Sequence, residues 1–566
     1  MNLPHKYRWL WLLAAIALIA VVAFAACKDD KGAGKTPTPG AGERRQGGEL
    51  TVQSVEFASL DPHFSSFAQD ISLQRMLWRG LFSLDKENVP QPAMAAAQPE
   101  VSGDGKTYTV TLREGLKWSD GDDLLAEDFV LAIHRTCNPV NAGEYQYVLT
   151  TIVGCDDHYG ADAFDQALED AIGVEATDDL TIVFSLKEPQ PTFPIILSLW
   201  MTFPVPVHLL PDSSDPWPKG SSAPGQLAYN GPYVLTSYTA QTEVTLAPNP
   251  NWAAPAGVSP TLDKLTIRFI DDLATAADAY RTGELQETEV DLTQLETLRS
   301  DFGDGVEYFK FLAPTTRGLE MQLTVPPLDK LDVRLALSQA IDREELNRVV
   351  VQGGNEPTTS WLPEVTGGHP PDAFNDTIGF NPESAAKHLA DAGFPNGEGF
   401  PDLEILVSDT PDRVAAGEFL KENFKIHLNI DTHVVVVDGQ TRSDRFTDEQ
   451  FELFPGGWVQ DYPDPENWVL GLFDTDGTLN NYNCSDPDID DLVDKARFNT
   501  NDEERKQQYK DANELISTRA CGIAPYWHEN NHWLIKQNVV GMRENMTGQD
   551  GAMPGDWTAE AWGLAP

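Results

Sequence analysis

His528, Glu529 and His532 spell H-E-x-x-H within "YWHENNHWLIKQ". On a helix that spacing sets two imidazoles on one face, where they can hold zinc while the glutamate takes a proton from the metal-bound water, as in a metalloprotease. The surrounding elements must supply the helix. Pro525 lies just before, Asn530 and Asn531 occupy the middle, and the flanks "IAPYW" and "HWLIKQNVV" are rich in β-branched and aromatic residues. Such a stretch predicts two strands joined by an Asn-Asn turn, which scatters the ligands. Only 34 residues follow His532, with no evident ligand-bearing helix. G-x-S-x-G, a phosphate loop and C-x-x-C are also missing from the chain. A zinc protease built on His528, Glu529 and His532 is thus a remote alternative, and the expectation is a protein that is not an enzyme and uses no metal or cofactor.

A second set of acids, in "CSDPDIDDLVDKAR", lacks the order of a calcium loop. Asp486 instead predicts an N-cap, Pro487 the first helical position, and Lys495 and Arg497 the last turn favoured by the helix dipole. "FNPESAAKHLADAGF" repeats the pattern with Asn381, Pro382 and Gly393, and "AIDREELNRVVVQGG" places Glu345 three residues after Asp342, a capping-box spacing that Gly353 closes. Tyr108, Val110 and Leu112 alternate, as do Ile182, Phe184 and Leu186, which predicts half-buried strands. Strands interleaved with helices throughout argue for α/β lobes.

The chain has 566 residues, enough for two or three domains, and 41% of them are hydrophobic. His5, Lys6 and Arg8 precede an apolar run from Leu10 to Phe24, and Ala25 and Ala26 lead to Cys27. That predicts an export signal over residues 1–26. The 18 residues from Trp9 to Ala26 also suffice for a short membrane span, so an uncleaved anchor is the alternative. "FAAC" resembles a bacterial lipobox, in which the cysteine carries lipid, with Phe24 where leucine is more usual. Residues 27–47 then form a lipid-anchored tether, rich in Gly, Pro and charge, with a span of roughly 25 Å. Either reading leaves the body outside the cytoplasm.

Without Lys6 and Arg8 the chain keeps 38 bases against 88 acids, a balance of −50. Nucleic acid is excluded as a partner by that charge. Cys137, Cys155, Cys484 and Cys521 remain after Cys27, an even number that in an exported protein predicts two disulfides. Three pairings exist; nearness in sequence selects Cys137 with Cys155 and Cys484 with Cys521.

"LWRGLFSLDKENVPQPAMA", "SGDGKTYTVTLREGLKWSDGDDLLAEDFVLAIHR", "YNGPYVLTSYTAQTEVTLAPNPNW", "PLDKLDVRLALSQAIDREEL", "FNPESAAKHLADAGFPNG" and "PGGWVQDYPDPENW" follow one another in an order that resembles the oligopeptide- and dipeptide-binding lipoproteins of ABC importers, the extracytoplasmic solute-binding proteins of family 5. The resemblance covers most of residues 50–545. It implies an α/β, two-lobed periplasmic-binding-protein-like fold (type II, large, with an extra inserted domain). Lobe I then comprises residues 49–68, 199–312 and 534–566, the insert 69–198, and lobe III 313–533, with two crossing segments between the lobes. It also implies a monomer that closes on a short peptide and delivers it to a membrane permease.

The matching positions assign Asp461 to the peptide's amino terminus, with Trp458 packed alongside and Tyr462 next in the chain. Glu56 falls in a segment lining the cleft from lobe I, and Arg317, near the crossing into lobe III, is placed to meet a carboxylate. Pro455 stands where some relatives keep a base for the peptide's carboxyl end. The same architecture binding an oligosaccharide, opine, nickel chelate or signalling peptide is the alternative.

Overall fold

The computed structural model describes residues 44–218, 225–255, 257–546 and 552–566. The signal, Cys27 and most of the tether lie outside these residues. Among the described residues no helix is long and apolar enough to cross a membrane.

One large mixed sheet runs through the body, and two long strands carry it from one lobe to the other. Tyr308–Met321, the first crossing strand, pairs antiparallel with Ile523–Ile535, the second. Beyond the second lie Glu287–Glu289, Glu49–Ser54, Lys264–Phe269, Glu243–Pro248 and Tyr233–Thr239, the sheet of lobe I. Beyond the first lie Leu453–Val459, Leu403–Ser408 and Thr432–Val437, the sheet of lobe III. The ladder between the crossing strands shifts register between Leu312 and Thr316, where Pro314 lacks an amide to donate.

The second crossing strand overturns the expected Asn-Asn turn. Asn530 and Asn531 stay in the ladder opposite Leu312 and Phe311. Asn530 donates its side-chain amide to Gly354 O at 2.8 Å and its backbone N–H to Asn355 Oδ1 at 3.1 Å. A neighbouring loop thus supplies the polar partners for which a turn would otherwise have been needed.

Residues Glu100–Val101, Thr107–Thr111, Thr181–Ser185 and Val174–Asp178 make a separate antiparallel sheet in the insert. Its alternating residues behave as their spacing predicts: Tyr108, Val110, Leu112, Ile182, Phe184 and Leu186 are all buried. They join one apolar core with Leu50, Val52 and Leu265 of lobe I, so insert and lobe I share an interior. The helix Ala68–Leu77 packs on the C-terminal segment Asp556–Ala561, with Arg75 paired to Asp556 and Arg79 to Glu560. Lobe III has two further cores, one around Leu319, Leu337 and Phe424, the other around Trp361, Trp468 and Tyr509.

Local signals act as their chemistry dictates. Asn381 accepts the Ser384 N–H at 3.1 Å, Asp342 the Glu345 N–H at 3.0 Å, and Asp486 the Asp488 N–H at 3.0 Å. The Glu345 carboxylate turns to Arg348 instead of closing a capping box. Asp486 and Asp488 pair with Arg519, an ordinary use for acids that resembled a calcium cluster. Cys137 is bonded to Cys155 and Cys484 to Cys521, closing loops of 18 and 37 residues. Loops of those lengths correspond to about 3 and about 4 kcal/mol of lost unfolded-chain entropy.

Candidate functional site

His528 and His532 lie on an extended strand, where four residues of rise separate them by about 13 Å. His528 Nδ1 is 2.8 Å from Thr316 Oγ1; His532 Nδ1 is 2.7 Å from Tyr308 OH and its Nε2 3.0 Å from Gly354 O. Burial pushes their pKa values down to about 3 and about 4. Glu529 points to the opposite face of the strand, as alternation requires, and takes two donors of Arg317 at 2.7 and 3.3 Å. The three residues therefore do not converge on one ion. Among the described residues the histidine and acid groups close enough to share a metal are Asp120, Asp122 and His208, on the surface.

Asp461 lies two residues beyond the strand Leu453–Val459, and Gly456 and Gly457 let that strand approach its neighbour. A Cβ on Gly457, whose φ is +142°, would stand 2.0 Å from Thr316 O. The Asp461 carboxylate then faces the insert. Tyr145 OH donates to Oδ1 at 3.0 Å, while Tyr147 OH and Asn467 Nδ2, the latter at 3.0 Å, donate to Oδ2. Both tyrosines come from the short 3-10 helix Glu144–Leu149 of the insert, so this group spans from insert to lobe III. Asn467 is itself fixed, accepting the Asp461 N–H at 2.9 Å and Trp458 Nε1–H at 3.0 Å.

Each of those donors to the carboxylate is neutral. Burial raises the Asp461 pKa, and the three donors only partly offset it. Burial and the neighbouring Asp461 charge hold the Tyr147 hydroxyl well above its usual range, so it remains a donor.

The other expected residues divide. Trp458 sits beside Asp461 through the shared Asn467. Tyr462 is buried in the core, its OH given to Glu466 Oε1 at 3.1 Å, where Thr192 of the insert donates at 3.0 Å. Glu56 is used within lobe I, accepting from Tyr238 OH and from the Gln241 N–H at 3.0 Å. Arg317 is engaged by Glu529, not by an open pocket. Tyr145, Tyr147 and Asn467 were not singled out by sequence; the alternation in "EYQYV" and the asparagine after "DPE" carry no signal without their partner.

Against this group lies a cavity of about 250 Å³ between insert and lobe III. Tyr147, Trp458, Tyr462 and Asn467 form its inner end; Glu188, Asp474, Asp476 and Arg497 lie among its other lining residues. Partly enclosed, with aromatic walls and a few polar groups, it has the make-up of a small-ligand site.

Residues 89–480 match the family described as bacterial extracellular solute-binding proteins, family 5 Middle. The oligopeptide-binding protein OppA of Bacillus subtilis (strain 168) is 25% identical over 557 residues, covering 95% of this chain and 98% of the relative. The periplasmic oligopeptide-binding protein OppA of Escherichia coli (strain K12) is 27% identical over 511 residues, 88% of this chain and 89% of its own. Among solved structures, the unliganded open form of the periplasmic murein tripeptide-binding protein MppA superposes with a TM-score of 0.76 at 25% identity, covering 93% of this chain and 99% of that one. A two-lobed binding-protein fold, a cavity between its halves and a family match over most of the chain lead to one assignment: the chain belongs to the bacterial extracellular solute-binding proteins of family 5.

Proposed function

We propose that this protein is the extracytoplasmic receptor of an ABC importer, that it captures short peptides between its lobes, and that Asp461 takes their amino terminus. One observation carries the reading: a carboxylate at the junction of insert and lobe III is served by three neutral donors and, among the described residues, is in no ion pair. Burying such a charge costs several kcal/mol unless a cation or ample hydrogen bonding offsets it. A peptide ammonium brings both a positive charge and three donors. The tyrosine hydroxyls are rotatable groups that can share the carboxylate with it or give way. Trp458 forms the adjoining wall. The names of the three relatives compared above, two oligopeptide-binding proteins and a murein tripeptide-binding protein, agree with this chemistry.

Binding itself is the function; the protein performs no reaction on its guest. After cleavage at Cys27 a lipid anchor and the tether hold the receptor, a monomer, at the outer face of the membrane, where the closed form meets the permease. Two acyl chains suffice for stable anchoring, whereas one does not.

The test is a pair of ligands. Free tripeptides raise the melting temperature, and their N-acetylated forms do so far less, since acetylation removes the charge that Asp461 requires. Asp461→Asn weakens binding of the free peptides by about 100-fold, the scale of a buried charge-assisted contact. Equal shifts from free and acetylated peptides exclude Asp461 as the ammonium site.

A further inference from the structure

The cavity beside Asp461 follows the helix Glu466–Phe473, from Trp458 and Asn467 at one end to Asp474 and Asp476 beyond its last turn. By helical rise, Asn467 and Asp474 stand about 10 Å apart. The charges along that length are unequal. Arg497 faces Glu188 at 3.7 Å, and Glu466 shares Arg505 with Asp464 behind the wall. Those acids have a cation. Asp474 and Asp476 make no ion pair among the described residues; Asp474 accepts the Asp476 N–H at 2.9 Å and is otherwise set against Asp476, Asp490 and Asp494.

Burial first, and then those like charges, hold the Asp474 carboxyl above its usual range. A carboxylate crowded by carboxylates is stabilised by any cation that reaches it. The rest of the wall suits a long basic side chain: Leu470 and Leu479 offer apolar surface for methylenes, and Trp458 adds an aromatic ring to the lining. Tyr147 and Asn467 line the cavity and also donate to Asp461 Oδ2, so the space opens directly beside the place given to the ammonium.

We propose that this cavity is a subsite for a basic side chain, and that the preferred guest is a peptide with lysine or arginine at its first or second residue, the side-chain cation lying between Asp474 and Asp476. The inference rests on the peptide reading of Asp461 and narrows it to a ligand class. It also gives the chain's acidity a role, because a net charge of −48 draws cationic peptides toward the protein from a distance.

Calorimetric titration of the protein with Ala-Ala-Ala, Lys-Ala-Ala, Ala-Lys-Ala, Glu-Ala-Ala and Ala-Glu-Ala tests it. One of the lysine peptides binds about tenfold more tightly than Ala-Ala-Ala, the effect of one partly screened charge contact, and its glutamate counterpart binds more weakly. In the Asp474→Asn/Asp476→Asn variant, asparagine keeps the acceptor for the residue-476 amide and removes only charge. There the lysine-to-alanine ratio falls to within about twofold. Lysine and glutamate peptides of equal affinity, or a lysine preference that survives in the double variant, overturn the subsite. If Ala-Ala-Ala binds without any lysine preference, the peptide reading stands and only the subsite is lost; if none of the five binds, both fall.

Discussion

Glu320 lies beneath Gly456, where a Cβ would come within 2.2 Å of its Oε2. Burial pushes its pKa up to about 8 against the pull of Arg442, Arg317 and Arg413. Glu287, fully buried in lobe I, is displaced in the same direction. His528 and His532 move the opposite way, for the same reason. A folded acid with a raised pKa keeps a proton that the unfolded chain releases, so stability declines as pH rises from about 4.5 to about 8. A folded histidine with a depressed pKa refuses a proton that the unfolded chain accepts, so stability declines as pH falls from about 6.5 toward 3 or 4. These four groups set a maximum in mildly acidic solution. Glu320→Gln removes one proton from the alkaline side, and the loss of unfolding free energy between pH 6.5 and 8 shrinks by about 2 kcal/mol. Urea denaturation at the two pH values measures it; an unchanged loss means that Glu320 is ionised in the fold. At this scale the sequence disclosed identities but seldom partners. Asp461 was singled out through the family resemblance of its segment, whereas Tyr145 and Tyr147 reach it from more than three hundred residues away.

Elements were legible where their signals are local. Asn381, Asp342 and Asp486 cap as their neighbours dictate, because an N-cap needs only a side-chain oxygen and an amide two or three residues on. The alternating strands of the insert were legible for a similar reason: period-2 burial is written in a single segment. The second crossing strand was not, since its Asn-Asn pair is a turn signal by itself and a strand only beside Gly354 and Asn355. The strand before Asp461 depends likewise on a tertiary contact. Gly457 combines a φ of +142° with a space that its neighbour strand has already filled. Gly457→Ala must strain the backbone and push Leu453–Val459 away from Tyr308–Met321, costing about 2–4 kcal/mol. Gly439→Ala, at the start of a surface helix with nothing within 4 Å, is the control and changes stability by less than about 0.5 kcal/mol. Thermal melts of the two variants separate these outcomes. Equal melting temperatures rule out the steric role given to Gly457.

At the scale of the whole molecule, what matters is how the two halves are held. The insert shares its core with lobe I, so the two move together, and Tyr462 of lobe III is packed into that same core. Polar ties from the insert to lobe III include the tyrosine hydroxyls on Asp461, Thr192 on Glu466, and the loose Glu188–Arg497 pair. Against these stand the crossing strands, whose ladder is interrupted between Leu312 and Thr316 and can absorb a change in angle there. A ligand shifts the halves toward a closed form only by the amount that it binds that form better. Tyr145 and Tyr147 are part of the tie, and neutral hydrogen bonds to a charged group contribute about 1.5–3 kcal/mol each. Tyr145→Phe/Tyr147→Phe keeps both rings and removes both hydroxyls. Its unliganded form has a larger radius of gyration by small-angle X-ray scattering than the native protein, and added peptide narrows the difference because an ammonium takes over the vacated acceptors of Asp461. Identical unliganded scattering from variant and native protein means that the hydroxyls do not hold the halves together, and the Tyr462 packing and the Thr192–Glu466 bond then carry the tie.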